Sequence, residues 1–174
     1  MQEIYERARR IRIAAFDVDG VLTDGTLRLA DAGEEIKAFN ALDGHGLKLL
    51  RERGVALAIV SSRSSRAVEA RARGLGIELL YQGVCDKLAA FEELLARARV
   101  AAEHCAFAGD DVLDLPVLER CGLAITVPDA PAAVRRRAHY VTRARGGRGA
   151  VREACDLVLY ARGTPAWRTA GHCG

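Results

Sequence analysis

Short apolar runs alternate along this chain with longer stretches whose apolar positions recur at helical spacing. Residues 11–16 (Ile-Arg-Ile-Ala-Ala-Phe) and 55–60 (Val-Ala-Leu-Ala-Ile-Val) read as buried strands, the second too apolar to be half exposed. Residues 78–81, 104–108 and 123–127 read as further strands, and Tyr140-Val141 adds a short edge strand. Helices fall between them. One covers 47–53 and is closed by Gly54, and another is capped by Ser64 or Ser65 and ended by Gly74 and Gly76. A third, capped by Asp86, covers 87–99 with Leu88, Phe91, Leu94, Leu95 and Ala98 on one face. Pro131 opens a fourth, and Val151, Ala154, Cys155, Val158 and Leu159 mark the packing face of a fifth. Alternation of strand and helix throughout predicts an α/β fold with a doubly wound parallel sheet.

Other segments stand outside this alternation. Residues 26–30 and 35–39 flank Asp31-Ala32-Gly33, a hairpin signal that predicts a β-hairpin flap. Residues 40–46 (Asn-Ala-Leu-Asp-Gly-His-Gly) read as a turn leading into the first helix. Residues 145–149 (Arg-Gly-Gly-Arg-Gly) are too glycine-rich for a helix and too positive for the core, which predicts a mobile, anion-seeking loop that closes over a ligand. After Gly163 periodicity is lost, and residues 164–174 are expected to form a flexible tail.

The strand at 11–16 ends at once in Asp17-Val18-Asp19-Gly20, which puts both carboxylates at its carboxyl end, where open α/β sheets keep their chemistry. Alternate residues of an extended segment point the same way, so Asp17 and Asp19 can reach one pocket while Val18 turns into the fold. Like charges held that close are costly unless a cation or a shared proton relieves them, which points to a hard divalent ion, most simply magnesium. Aspartate and glycine after a strand also make ordinary turns, and this stretch alone leaves both readings open. The strand at 104–108 stops in the same way, at Gly109-Asp110-Asp111, with Asp114 a turn further on.

With 174 residues, half of them apolar, the chain fits one domain over 1–163. The net charge of +3 is small and the basic residues are interspersed with acids except at 135–137 and 143–152, which gives no basis for a nucleic-acid partner. No apolar segment has membrane-spanning length and the start lacks a signal-peptide core, so the chain reads as cytoplasmic, with no membrane partner. Its five cysteines lack metal-ligand spacing and are odd in number, which predicts buried free thiols. Of 26 basic residues only Lys37, Lys48 and Lys87 are lysines, so a lysine here marks a position that wants a compact ammonium.

Asp17 and Asp19 on one strand, Ser61 ending the next, Lys87 opening a helix, and Asp110 with Asp111 ending another strand resemble the four motifs of haloacid-dehalogenase-type phosphatases. Phe39-Asn40 with Asp43-Gly44, Tyr81-Gln82-Gly83, and residues 146–153 (Gly-Gly-Arg-Gly-Ala-Val-Arg-Glu) extend the resemblance, over nearly the whole chain, to 3-deoxy-D-manno-octulosonate 8-phosphate phosphatases. The resemblance implies a magnesium-dependent phosphatase of lipopolysaccharide sugar biosynthesis. Asp17 would be the nucleophile, Asp19 the general acid and base, and Ser61 and Lys87 the holders of the transferring oxygens. Asp17, Asp110 and the backbone carbonyl of Asp19 would ligate the metal. Asn40, Asp43, Gly44, Lys48, Arg63 and Arg71 would line the substrate side, with Arg148 on the closing loop. Structural readings stand beside several of these positions. Asp111 can orient Asp110, Asp114 can sit in a helical first turn, Asp24 can be a turn residue, and His45 can be a solvated loop side chain.

Ser61-Ser62-Arg63 stands where these relatives commonly carry Thr-Gly-Arg, which keeps a hydroxyl. Leu42 stands where an arginine is often found, which removes a charge that could meet a sugar-acid carboxylate. The spacing between Asp19 and Ser61, and between Lys87 and Asp110, leaves no room for a cap domain, so a neighbouring subunit is the simplest means of excluding water. The resemblance implies a homotetramer whose C-terminal tail reaches an adjacent site. Rival readings are a phosphatase for a nonulosonate (acylneuraminate or ketodeoxynonulosonate) 9-phosphate and a non-catalytic binding or regulatory homologue that keeps the fold.

Overall fold

The computed structural model describes residues 1–164. Its strands are β1 (Ile13–Phe16), β2 (Arg28–Leu29), β3 (Glu35–Ile36), β4 (Ala56–Val60), β5 (Leu79–Tyr81), β6 (Cys105–Ala108), β7 (Leu123–Thr126) and β8 (Tyr140–Val141). Its helices are α1 (Gln2–Arg9), α2 (Ala41–Glu52), α3 (Arg66–Leu75), α4 (Lys87–Ala98), α5 (Leu115–Arg120), α6 (Ala132–Arg135) and α7 (Ala150–Ala161). Six strands form one parallel sheet in the order β5-β4-β1-β6-β7-β8, while β2 and β3 pair as a separate antiparallel hairpin. The chain builds outward from β1 to β5 on one side and then returns to place β6 on the other. The carboxyl ends of β1 and β6 therefore border the crevice at which the winding reverses.

Helices cover both faces, which is why the strands are continuous apolar runs. Ala14 and Phe16 of β1 face a core shared with α2, α3 and α7, whereas Ile13 and Ala15 face a second core built from α4, α5 and Val134 of α6. No cap domain is inserted among the described residues; a helical turn over Val18–Leu22, the hairpin and α2 are the elements between β1 and β4.

Several expectations need correction. Residues 40–46 are not a turn. Asn40 caps α2 by accepting from the Leu42 and Asp43 amides at 2.7 and 3.3 Å, and the helix runs on through Gly44 and Gly46. Those glycines answer to packing, since a Cβ at Gly44 would lie 2.2 Å from Arg71 Nη2 and one at Gly46 would lie 2.9 Å from Arg152 Cδ. The helix α1 gave no clear signal because Ala8 is its one buried residue. Ser65 occupies the N-cap position of α3 without a capping bond from its side chain, while Gly76 ends that helix in the left-handed conformation with φ +67°.

The loop at 145–149 is pinned, not open. The Gly147 amide donates to the Val21 carbonyl at 2.9 Å, and a Cβ on Gly146 would come within 1.7 Å of the Gly20 carbonyl oxygen. Its glycines permit backbone to lie on backbone behind the turn that follows β1. Thr164 is tied to α7, its amide donating to the Leu159 carbonyl at 2.9 Å; the rest of the expected tail, and Cys173, lie outside the described residues.

Candidate active site

The site is built from the first residues past the strand ends. The Asp17 amide donates to the Ala108 carbonyl and the Ser61 amide to the Tyr81 carbonyl, both at 2.9 Å, which carries the sheet ladder one residue beyond β1 and β4. This pins a carboxylate and a hydroxyl that are 7% and 3% exposed. Asp86 caps α4, accepting from the Ala89 amide at 3.0 Å, and so delivers Lys87 as the first residue of that helix. The Lys87 ammonium lies 2.9 Å from Asp17 Oδ2 and 2.6 Å from Asp114 Oδ1.

Asp114 is fully buried. Its second oxygen accepts the amides of Asp110 and Asp111 at 3.0 and 3.1 Å. Asp114, rather than Asp111, therefore orients Asp110, while Asp111 accepts from the Val112 amide at 2.7 Å and starts the short helical turn after β6. Gly20, at φ +88°, brings the turn after β1 against Asp110, because a Cβ there would lie 2.0 Å from Asp110 Oδ2. Asp17, Asp19, Ser61, Arg63, Lys87 and Asp110 share one cleft of about 180 Å³. A larger groove, of about 510 Å³ beside Glu92, Arg99 and Arg120, has no comparable set of converging groups.

Burial, helped by Asp114, pushes the Asp17 carboxyl up to about 6 despite Lys87 beside it. Burial and the neighbouring Asp17, Asp114 and Asp111 push Asp110 up to about 7. Burial alone would lower the Lys87 ammonium, but Asp17 and Asp114 outweigh it and hold the group above its ordinary value. Oxygens of Asp17, Asp110 and Asp114 lie within 4.8 Å of one another, a spacing that suits a metal ion. Asp114 already spends both oxygens on Lys87 and two amides, which leaves Asp17 and Asp110 as the side chains that could hold such an ion. Asp110 Oδ1 is buried without a hydrogen-bond partner. An orphaned buried oxygen among crowded acids fits a hard divalent cation.

The expected substrate side divides. Arg63 reaches the cleft, with its Nε 3.6 Å from Asp19 Oδ2. Asn40 spends its side chain on the α2 cap. Asp43 is buried and accepts the Arg152 amide at 2.7 Å and the Gly149 amide at 3.4 Å, so it fastens the start of α7 to α2 instead of facing the cleft. Arg71 lies against Gly44, donates to the Asn40 carbonyl at 3.0 Å and sits 5.6 Å from the Phe39 ring centre. Lys48 is exposed on α2 and does not line the cleft. Arg148 lies 3.6 Å from Asp24 in a second hollow behind Gly20 and Asp110. Lys37 and Glu35, which pair with each other at 3.2 Å at its rim, belong to none of the motifs that mark the site in the sequence. The scarcity of lysine in this arginine-rich chain was the available signal.

The profile of haloacid dehalogenase-like hydrolases matches residues 35–122. The chain is 47% identical over 160 residues to the 3-deoxy-D-manno-octulosonate 8-phosphate phosphatase KdsC of Yersinia pestis, covering 92% of this chain and 86% of that one. A phosphatase of the same name from Moraxella catarrhalis, solved in complex with a magnesium ion, a phosphate ion and a KDO molecule, superposes with a TM-score of 0.92 at 43% identity, covering 94% of each chain. A probable YrbI family phosphatase from Pseudomonas syringae pv. phaseolica 1448a superposes with a TM-score of 0.95 at 48% identity, covering 99% of this chain and 100% of that one. With its motif residues gathered in one cleft and its likeness extending over almost its full length, this chain belongs to the 3-deoxy-D-manno-octulosonate 8-phosphate phosphatase family of the haloacid dehalogenase-like hydrolases.

Proposed function

We propose that this chain hydrolyses 3-deoxy-D-manno-octulosonate 8-phosphate to the free sugar acid and phosphate, in lipopolysaccharide sugar biosynthesis, with residues 1–163 acting as one catalytic domain. The convergence of Asp17, Asp19, Ser61, Lys87 and Asp110 in one cleft carries this reading. Asp17 attacks phosphorus and becomes an aspartyl-phosphate, which divides one difficult displacement into two easier ones. Asp19 gives its proton to the leaving alcohol and then takes one from the water that cleaves the intermediate. Lys87 and the Ser61 hydroxyl hold the phosphoryl oxygens as charge shifts among them. Asp17, Asp110 and the Asp19 carbonyl would hold magnesium, whose positive charge would offset repulsion between the nucleophile and a dianionic ester.

Metal and pH are linked in a way that can be measured. Asp17 and Asp110 ionise near 6 and 7 in the fold, against about 3.8 in the unfolded chain. Between those values the unfolded chain has lost protons that the folded one still holds, so the metal-free protein loses stability as pH rises and levels off above about 7. A cation that binds the ionised pair removes that penalty. The rise in melting temperature caused by saturating magnesium should therefore be larger at about pH 8 than at about pH 5. A rise that is the same at both would count against these ligands.

The cleft of about 180 Å³ is small for a sugar phosphate, so the phosphoryl end fits and the sugar extends toward the hairpin. Leu27, Leu29 and Ile36 of that hairpin are 52%, 67% and 55% exposed in a single copy, an apolar surface that another copy would cover. The helix α7 ends where Arg162 donates to the Ile11 carbonyl at 2.7 Å, just ahead of β1 and so at the end of the sheet opposite the cleft. Both features support a homotetramer in which the C-terminal segment serves a neighbour's site, in a cytoplasmic enzyme whose Cys85, against the expectation of buried thiols, is an exposed free thiol. Light scattering should give about four times 18.8 kDa at micromolar protein; a monomer or dimer mass would refute the tetramer.

Phosphate release from the octulosonate 8-phosphate, compared with a nonulosonate 9-phosphate, tests the substrate. Leu42 is 60% exposed and carries no charge to meet a sugar-acid carboxylate, a group that both esters share, so the comparison of the two esters and not Leu42 decides between them. Higher kcat/KM on the nonulosonate ester would establish the second reading, and no release from either of these or from 4-nitrophenyl phosphate, by folded protein with magnesium, would support a non-catalytic homologue.

A further inference from the structure

The hairpin contributes a buried lysine that the mechanism so far leaves idle. The side chain of Lys37, just past β3, is 3% exposed although its neighbour Ile36 lies open. A buried ammonium is costly unless paired. Lys37 has two carboxylate partners, Asp19 Oδ1 at 2.5 Å and Glu35 Oε1 at 3.2 Å. Glu35 in turn takes Arg63 Nη2 at 2.8 Å, which ties the hairpin across the mouth of the cleft to the loop after β4.

The two oxygens of Asp19 are treated differently. Oδ1 is held by Lys37 and approached by the Thr23 hydroxyl at 3.4 Å. Oδ2 is buried with no hydrogen-bond partner, and Arg63 Nε stands 3.6 Å away. A carboxyl group anchored through one oxygen has lost the rotation that would exchange the two, so the free oxygen keeps a fixed address.

We propose that Lys37 is a positioning residue for phosphoryl transfer: it anchors Asp19 Oδ1 and so reserves Oδ2, in the cleft, as the oxygen that carries the proton. This rests on the phosphatase reading above. In the first step the Asp17 oxygen bonds to phosphorus, the ester P–O bond breaks, and the proton on Oδ2 passes to the departing alkoxide. In the second, water oxygen bonds to phosphorus, its proton passes to Oδ2, and the bond from Asp17 to phosphorus breaks. Lys37 keeps its own protons throughout, since an ammonium donates to Oδ1 whether or not Oδ2 is protonated.

The test compares two esters on the full-length, magnesium-loaded protein. A sugar alkoxide leaves poorly without a proton, whereas 4-nitrophenolate leaves well without one, so only the sugar ester needs a well-placed Oδ2 in the step that kcat/KM reports. Lys37→Met should lower kcat/KM about 100-fold on the octulosonate 8-phosphate and less than about 5-fold on 4-nitrophenyl phosphate, part of the usual worth of a general acid. A similar loss on both esters would assign Lys37 to holding the hairpin and overturn the proposal, as would no loss on either. If Lys37→Met does not fold, Lys37→Gln is measured against the same criterion. A wild-type protein inactive on both esters defeats the phosphatase reading itself, and with it the proposal; wild-type activity without the selective loss defeats only the role of Lys37.

Discussion

Asp17→Asn should leave the protein folded and lower kcat by at least about four orders of magnitude, the scale on which losing a nucleophile acts. The two side chains have the same shape, and the backbone bond from Asp17 to Ala108 does not involve the side chain. The amide oxygen can still accept from Lys87, which keeps its second partner, Asp114, at 2.6 Å. The substitution also removes a negative charge from a crowded group of acids, so thermal unfolding should move little or upward. Turnover near that of the wild type, at normal stability, would remove Asp17 from the nucleophile's role.

The second large effect falls on stability. Asp114→Ala should cost about 3–5 kcal/mol, as expected when one partner of a buried ion pair is deleted. Both Asp114 oxygens are engaged, so its loss leaves Lys87 with one partner fewer and the amides of Asp110 and Asp111 without an acceptor. For a chain of this length that is a fall in melting temperature of roughly 10 °C. Turnover should fall as well, because Lys87 and Asp110 lose the group that aims them. A change below about 1 kcal/mol by denaturant unfolding would show that the site does not depend on this carboxylate.

Much of the fold was legible because a parallel sheet covered on both faces writes its strands as apolar runs, and the acids at the ends of β1 and β6 mark where those runs stop. The chain was harder to read where one residue type answers two physical needs. Gly44 and Gly46 suggested a turn, but they are small because Arg71 and Arg152 press against α2, so the first turns of that helix were hidden. Gly146 and Gly147 suggested mobility, yet they allow two stretches of backbone to touch behind the site. The family resemblance puts Asp43 among the substrate residues, whereas its partners in the fold are amides at the start of α7, more than a hundred positions away. Asp114 and Lys37 depend on the same kind of distant pairing, which spacing along the chain does not show. Position at the end of a strand was thus the dependable signal, and polar residues within helices and loops needed the structure to separate scaffold from chemistry.

The covalent step can be observed directly. Protein mixed with substrate carrying a labelled phosphoryl group, and quenched in acid within a turnover, should yield label on the peptide that contains Asp17, and Asp17→Asn should yield none. Phosphate release without label on that peptide, under conditions in which an acyl phosphate survives the quench, would contradict nucleophilic attack by Asp17.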